Sequence, residues 1–162
     1  MTPVRFKKRV ADGVLLLDKP FGMTSNKALQ TARWHYHAAK AGHTGVLDPL
    51  ASGLLPVCLG EATKFSAYLL DADKRYTASV RFGSVSTTGD LEGTLTAVAP
   101  PTFSADALRM ALVGLLGEQM QQAPMHSALK HEGKALYEYA RQGIVVPPKV
   151  RQITLHQLNL LA

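Results

Sequence analysis

The stretch Ala41-Gly42-His43-Thr44-Gly45-Val46-Leu47-Asp48-Pro49-Leu50-Ala51-Ser52-Gly53 brings glycines, one histidine and one carboxylate close together in the chain. Gly42 and Gly45 bracket His43-Thr44, so backbone can approach a ligand there with no Cβ in the way. Asp48 precedes Pro49, which biases it away from the helical region toward an extended or turn conformation. A stiff loop therefore presents one acid, with His43 upstream of it. Rigid placement of a single acid is what covalent or acid–base chemistry requires. The same Asp-Pro pair is also an ordinary helix opening, with aspartate as N-cap and proline at the first helical position. From the residues alone, the helix opening is the stronger account.

Elements on both sides must hold this stretch. Upstream, residues 13–17 (GVLLL) form an apolar run that reads as a buried strand. It enters the turn-rich segment Asp18-Lys19-Pro20-Phe21-Gly22-Met23-Thr24-Ser25. Ser25 is the expected N-cap of a helix on which Ala28, Leu29, Ala32 and Tyr36 recur at helical spacing. Downstream, residues 54–59 read as a second buried strand containing Cys58, and residues 62–70 as a short helix with Ala62, Phe65 and Leu69 on one face.

Residues 76–82 alternate strictly, which predicts a half-buried strand with Tyr76, Ala78, Val80 and Phe82 on one side. A Ser-, Thr- and Gly-rich loop is expected at 83–93, where Asp90 either meets a substrate or makes an Asx turn. A short strand is expected at 93–97. Ser104 should cap an amphipathic helix that turns Leu108, Ala111, Leu112 and Leu115 to the core. After a Glu132-Gly133 turn, a helix through Leu136, Tyr137, Tyr139 and Ala140 should end at Gly143 as C′ residue. Residues 150–161 read as a strand whose phase shift suggests a β-bulge. Strands and helices do not alternate as βαβ units, which predicts an α+β fold: a mixed, largely antiparallel sheet with flanking helices.

At 162 residues the chain has the size of one domain. Residues 1–12, with Arg5, Lys7, Lys8 and Arg9, read as a basic arm and 13–162 as the folded part. The net charge of +6 favours a polyanionic partner. No apolar run has the length of a membrane span. The single cysteine forms no intrachain disulfide and suits a reducing cytoplasm. His35 and His37 lie two apart on a helix and share no face, and no spacing supplies further metal ligands.

The run Gly42-His43-Thr44-Gly45-Val46-Leu47-Asp48-Pro49-Leu50-Ala51-Ser52-Gly53 resembles the catalytic motif of pseudouridine synthases. It is most similar to that of the bacterial family that isomerises the T-loop uridine, position 55, of transfer RNA. Leu17-Asp18-Lys19-Pro20 with Gly22-Met23-Thr24-Ser25 resembles that family's N-terminal motif, a segment that props up the catalytic loop there, and Lys74-Arg75-Tyr76 its second. Residues 121–130 resemble a third, with Ala123 in place of a proline and His126 in place of a tyrosine; Thr87 stands where the family's first loop aspartate would be.

The resemblance implies a pseudouridine synthase fold and Asp48 as the catalytic nucleophile. It implies Tyr76 stacking on the target base and His43 holding the RNA with that nucleotide extruded. Gly42, Thr44, Lys19 and Asp90 join His43 and Tyr76 as substrate-binding candidates. It implies the T-arm of transfer RNA as partner, with no cofactor, metal, membrane or obligate protein partner, and a cytoplasmic location. The rivals are a non-catalytic RNA-binding or RNA-folding module and a guide-RNA-dependent synthase. The family's catalytic domain continues into further strands, one bearing an arginine that pairs with the catalytic aspartate, and into an RNA-binding domain. The chain is therefore expected to be the N-terminal portion of a catalytic domain, C-terminally incomplete and inactive by itself.

Overall fold

The structure, a computed structural model, describes residues 9–70, 72–127, 129–147 and 150–161. Lys7, Lys8 and Arg5 of the basic arm lie outside these. The chain divides into two compact units, residues 1–78 and 79–162, where size had suggested one domain.

In the first unit, β1 (Gly13–Lys19) and β2 (Ala41–His43) flank β3 (Gly53–Leu59) in an antiparallel sheet of order β1-β3-β2. Alternation along β3 sends Leu55, Val57 and Leu59 to one face, where all three are buried. Helix α1 (Ser25–His35) covers that face with Ala28, Leu29 and Ala32, the expected helical stripe. Leu15, Leu17, Met23, Ala41 and Leu47 pack around this core. The opposite face leaves Val14, Leu16 and Leu54 exposed. Cys58 is buried, and burial pushes its thiol pKa up, which suits packing over reactivity.

The helix cap is Thr24 and not Ser25: the Thr24 side chain accepts from Lys27 N–H at 3.2 Å. Tyr36, expected on the buried stripe, is exposed just past the helix end. The segment after β3 begins as a 3₁₀ helix (Gly60–Phe65) and continues as α2 (Ser66–Leu70), with Phe65 and Leu69 exposed. Only glycine fits at its start, because a Cβ on Gly60 (φ +55°) would lie 2.0 Å from Asp12 Oδ1. Asp12 Oδ1 accepts from Glu61 N–H at 2.7 Å, and Arg9 N–H donates to His37 O at 2.9 Å. Residues 9–12, read as part of a loose arm, are thus hydrogen-bonded into the fold.

Residues 76–82 form no strand, although they alternate. Alternation marks a face that can be buried, but a strand also needs a neighbour for its N–H and C=O groups, and no ladder runs along this segment. In the second unit, β5 (Leu95–Ala97) is the short strand expected at 93–97, and it pairs in a hairpin with β4 (Ser84–Ser86), which lies inside what read as a loop. Helix α3 (Ala105–Val113) is capped by Ser104, as expected, but ends before Leu115. Leu108 and Leu112 are half-buried, while Ala111 and Leu115 are exposed.

Strand β6 (Gly117–Gln122) pairs antiparallel with β9 (Val150–Leu155) in an unbroken register. The expected bulge is absent because β9 stops at Leu155, and 156–161 join no strand. Strands β7 (Lys130–His131) and β8 (Lys134–Ala135) flank the Glu132-Gly133 turn and lead into α4 (Leu136–Ala140). Gly143 N–H bonds to Ala140 O and Ile144 N–H to Tyr139 O, the paired bonds of a Schellman ending with Gly143 at C′. A small core of Ala123, Leu136 and Val146 anchors this region.

The α+β reading thus holds, and every named strand pair is antiparallel. Among the described residues the strands form one three-stranded and three two-stranded sheets in place of one central sheet. Because Leu55 lies at the centre of the first core, Leu55→Ala should lower stability by about 2–5 kcal/mol. Denaturant unfolding followed by circular dichroism measures it.

Candidate active site

The loop 44–52 joins β2 to β3, and its backbone is held at several points. Thr44 N–H bonds to Pro56 O (3.1 Å), tying the loop's start to β3. Leu47 is held through both polar groups: its N–H donates to Ser25 Oγ (2.9 Å), and Ser25 Oγ donates to Leu47 O (2.8 Å). Asp48 O accepts from Ala51 N–H (3.0 Å), and Pro49 O from Gly22 N–H (2.8 Å). Asp48 therefore sits between two residues pinned to the segment that follows β1. That turn has Gly22 at φ +79°, a conformation glycine adopts without strain.

The Asp48 side chain is exposed, and among the described residues it has no hydrogen-bond or ion-pair partner. Loop backbone, not side-chain contacts, fixes where this carboxylate stands. Asp48 caps no helix, so the helix-opening account fails: residues 48–51 form a turn closed by the Ala51 N–H to Asp48 O bond, and β3 begins at Gly53.

Lys19 is the largest correction among the site residues. It reads as a surface charge, a substrate contact, or part of the segment that props up the loop in the resembling family, and it is 0% exposed. Its ammonium donates to Met23 O (2.7 Å) and Pro20 O (3.0 Å), closing the turn that carries Gly22. A buried cation needs such partners, because an unpaired charge inside a protein is costly. In this conformation two of the three ammonium N–H groups of Lys19 serve the turn.

His43 ends β2 opposite Val57 and is half-buried, and its neighbour Thr44 is buried. Gly42 lies within β2, where a Cβ would meet no closer atom of the chain than Thr63 Cγ2 at 4.0 Å, so packing inside the chain does not require glycine there. Tyr76 is 68% exposed. His35 and His37 pack edge-on against Trp34, and among the described residues no group of three metal-ligating side chains comes together.

Asp90 belongs to the second unit, in the β4–β5 hairpin loop. Its Oδ1 accepts from Thr88 Oγ1 (2.5 Å) and from Glu92 N–H (2.9 Å), so it makes the Asx-type turn that was one of its two readings. The resemblance of residues 17–25 to the family's N-terminal motif pointed to a segment that props up this loop; which atoms do so, Ser25 Oγ on Leu47 and Gly22 N–H on Pro49, sequence reasoning did not find.

Comparison with known proteins follows this geometry. Residues 33–162 match the family model described as TruB family pseudouridylate synthase (N terminal domain). The tRNA pseudouridine synthase B of Chromobacterium violaceum is 62% identical over 162 residues, which are 100% of this chain and 53% of that protein. That of Methylobacillus flagellatus is 60% identical over 153 residues, 94% of this chain and 51% of the relative. The Neisseria meningitidis protein of the same name is 59% identical over 154 residues, 95% of this chain and 50% of the relative. The chain spans about half the length of the curated relatives it matches. Among solved structures, a chain in the crystal structure of a Cbf5-Nop10-Gar1 complex matches with a TM-score of 0.51 at 24% identity. That match covers 88% of this chain and 33% of the other, and it shows a shared fold.

The Asp90 carboxyl pKa is lowered, chiefly by the Thr88 hydrogen bond and also by the N–H groups of Glu92 and Gly93 and the charge of His126; partial burial opposes them. A lowered native pKa means the loop's ionic hydrogen bonds are fully present above the unfolded value. They are lost as pH falls through the lower native one. NMR titration should therefore give an Asp90 midpoint below that of an unstructured aspartate, and Thr88→Ala should raise it. An unchanged midpoint in Thr88→Ala would remove that hydrogen bond as the cause.

Proposed function

Because the chain belongs to the TruB family of pseudouridylate synthases, we propose that its protein converts a uridine in the T-loop of transfer RNA, position 55, to pseudouridine. The N1–C1′ bond breaks, the base turns, and a C5–C1′ bond forms. Product and substrate are isomers, so no net oxidant or reductant is consumed.

Asp48 acts as the nucleophile, toward the ribose or the base, or by assisting glycal formation. The observation that carries this reading is the loop 44–52, in which an exposed carboxylate free of partners among the described residues is flanked by pinned Leu47 and Pro49. A group held in place by its backbone and not engaged elsewhere is pre-organised for attack. The names and identities of the bacterial relatives support transfer RNA as substrate. The net charge of +6 supports phosphate contacts. Tyr76, exposed and next to Lys74 and Arg75, stacks on the extruded uracil. His43 holds the RNA in that opened form, and the compartment is the cytoplasm.

In the full-length protein, Asp48→Asn should abolish turnover while leaving transfer RNA affinity within about three-fold, since shape is kept and the nucleophile lost. Tritium release from C5-labelled, unmodified transfer RNA with no guide RNA measures it; turnover near the wild-type rate would reject Asp48. Wild-type turnover without guide also separates this reading from a guide-dependent enzyme and from a non-catalytic module. For Tyr76, Phe should preserve binding, while Leu should weaken it by roughly 1–3 kcal/mol, the worth of one stacked base. Equal affinity and rate for the two variants would make the ring mere packing.

A further inference from the structure

We propose that Ser25 is a positioning residue for the nucleophile, setting the place of Asp48 through the peptide groups of Leu47; this rests on Asp48 being the nucleophile. One oxygen, Ser25 Oγ, accepts from Leu47 N–H at 2.9 Å and donates to Leu47 O at 2.8 Å. A single hydroxyl thus satisfies both polar groups of the residue before Asp48, as a paired strand would.

Ser25 is 4% exposed, so water does not readily replace it. It opens α1, whose Ala28, Leu29 and Ala32 are locked in the first core, and this makes the hydroxyl's own position rigid. The helix does not need that hydroxyl, because Thr24 supplies the cap. Leu47 also packs its side chain against the same core. Asp48 has no side-chain partner among the described residues, so the peptide on its N-terminal side and Pro49 on the other fix its direction. Loss of the Ser25 hydroxyl frees one of these two holds and leaves the other.

A group that positions the nucleophile without touching RNA acts on the rate of the chemical step and not on binding. In the full-length protein, Ser25→Ala should lower the single-turnover rate constant at saturating transfer RNA by about 10- to 100-fold, the usual effect of displacing a reacting group by an ångström or less. The transfer RNA Kd should stay within about two-fold, and Ser25→Thr, which keeps the hydroxyl, should regain most of the rate. Wild-type rate in Ser25→Ala overturns the proposal, as does a rate loss that Thr fails to restore. So does a loss that appears in affinity with the rate at saturation unchanged. Should Ser25→Ala not fold, Ser25→Cys, similar in shape with a much weaker donor, is judged by the same readouts. An Asp48→Asn arm separates the two ideas. If that variant is dead while Ser25→Ala is fully active, only the positioning role falls; if Asp48→Asn is active, the nucleophile assignment falls and the positioning role with it.

Discussion

A buried ammonium organises the candidate active site. Lys19 is sealed from solvent and donates to the carbonyls of Pro20 and Met23, fixing the turn after β1 in one shape. That shape aims Gly22 N–H at Pro49 O, and the helix start that follows aims the Ser25 hydroxyl at Leu47. Asp48 stands between those two contacts. The desolvation of a lysine is a real cost, of several kcal/mol per ion before compensation. Two charge-assisted hydrogen bonds offset it, and a neutral side chain would leave both carbonyls without those donors. The return is geometric: a loop with no regular structure is held as firmly as a strand.

The rest of the first unit keeps that turn and that loop at a fixed separation. Residues 13–19 pair with 53–59 through seven consecutive positions, so the end of β1 lies beside the start of β3. The loop 44–52 leaves β2 and enters β3, and the turn 20–24 leaves β1 at the same end of the sheet. Slipping the register by one residue would turn Leu55, Val57 and Leu59 out of the core and exchange them for Leu54 and Pro56. The core that α1 covers therefore guards the register, and the register guards the geometry around Asp48.

Much of this was legible in the sequence. Apolar runs announced β1 and β3, helical spacing announced α1, Ser104 announced the start of α3, and glycine chemistry announced the turn at Glu132-Gly133 and the end of α4. What was not legible shares a cause: patterns report which face of an element can be buried but not what lies against it. Residues 76–82 alternate yet have no ladder, and β6 carries Glu118 and three glutamines, so its pairing with β9 left no apolar signature. At the site, the type and spacing of Asp48 stood out, and the resemblance of residues 17–25 pointed to a supporting segment, while the contacts by which it supports the loop were not legible. Lysine reads as a surface residue until a cavity of carbonyls is known. Thr24 and Ser25 are chemically interchangeable in sequence, and only the direction of each hydroxyl assigns one to the helix and the other to the loop.

Among the described residues, the hydrogen bonds that hold the loop around Asp48 lie within residues 19–56, and the core beneath them within 11–59. A ribosome releases the chain N-terminus first, and domains form as units during synthesis. The contacts that shape the loop 44–52 can therefore close while the second unit is still being translated. A nascent chain would carry an ordered Asp48 loop before it carries the residues of the second unit, so ordering of this acid and completion of the chain are separate events in time.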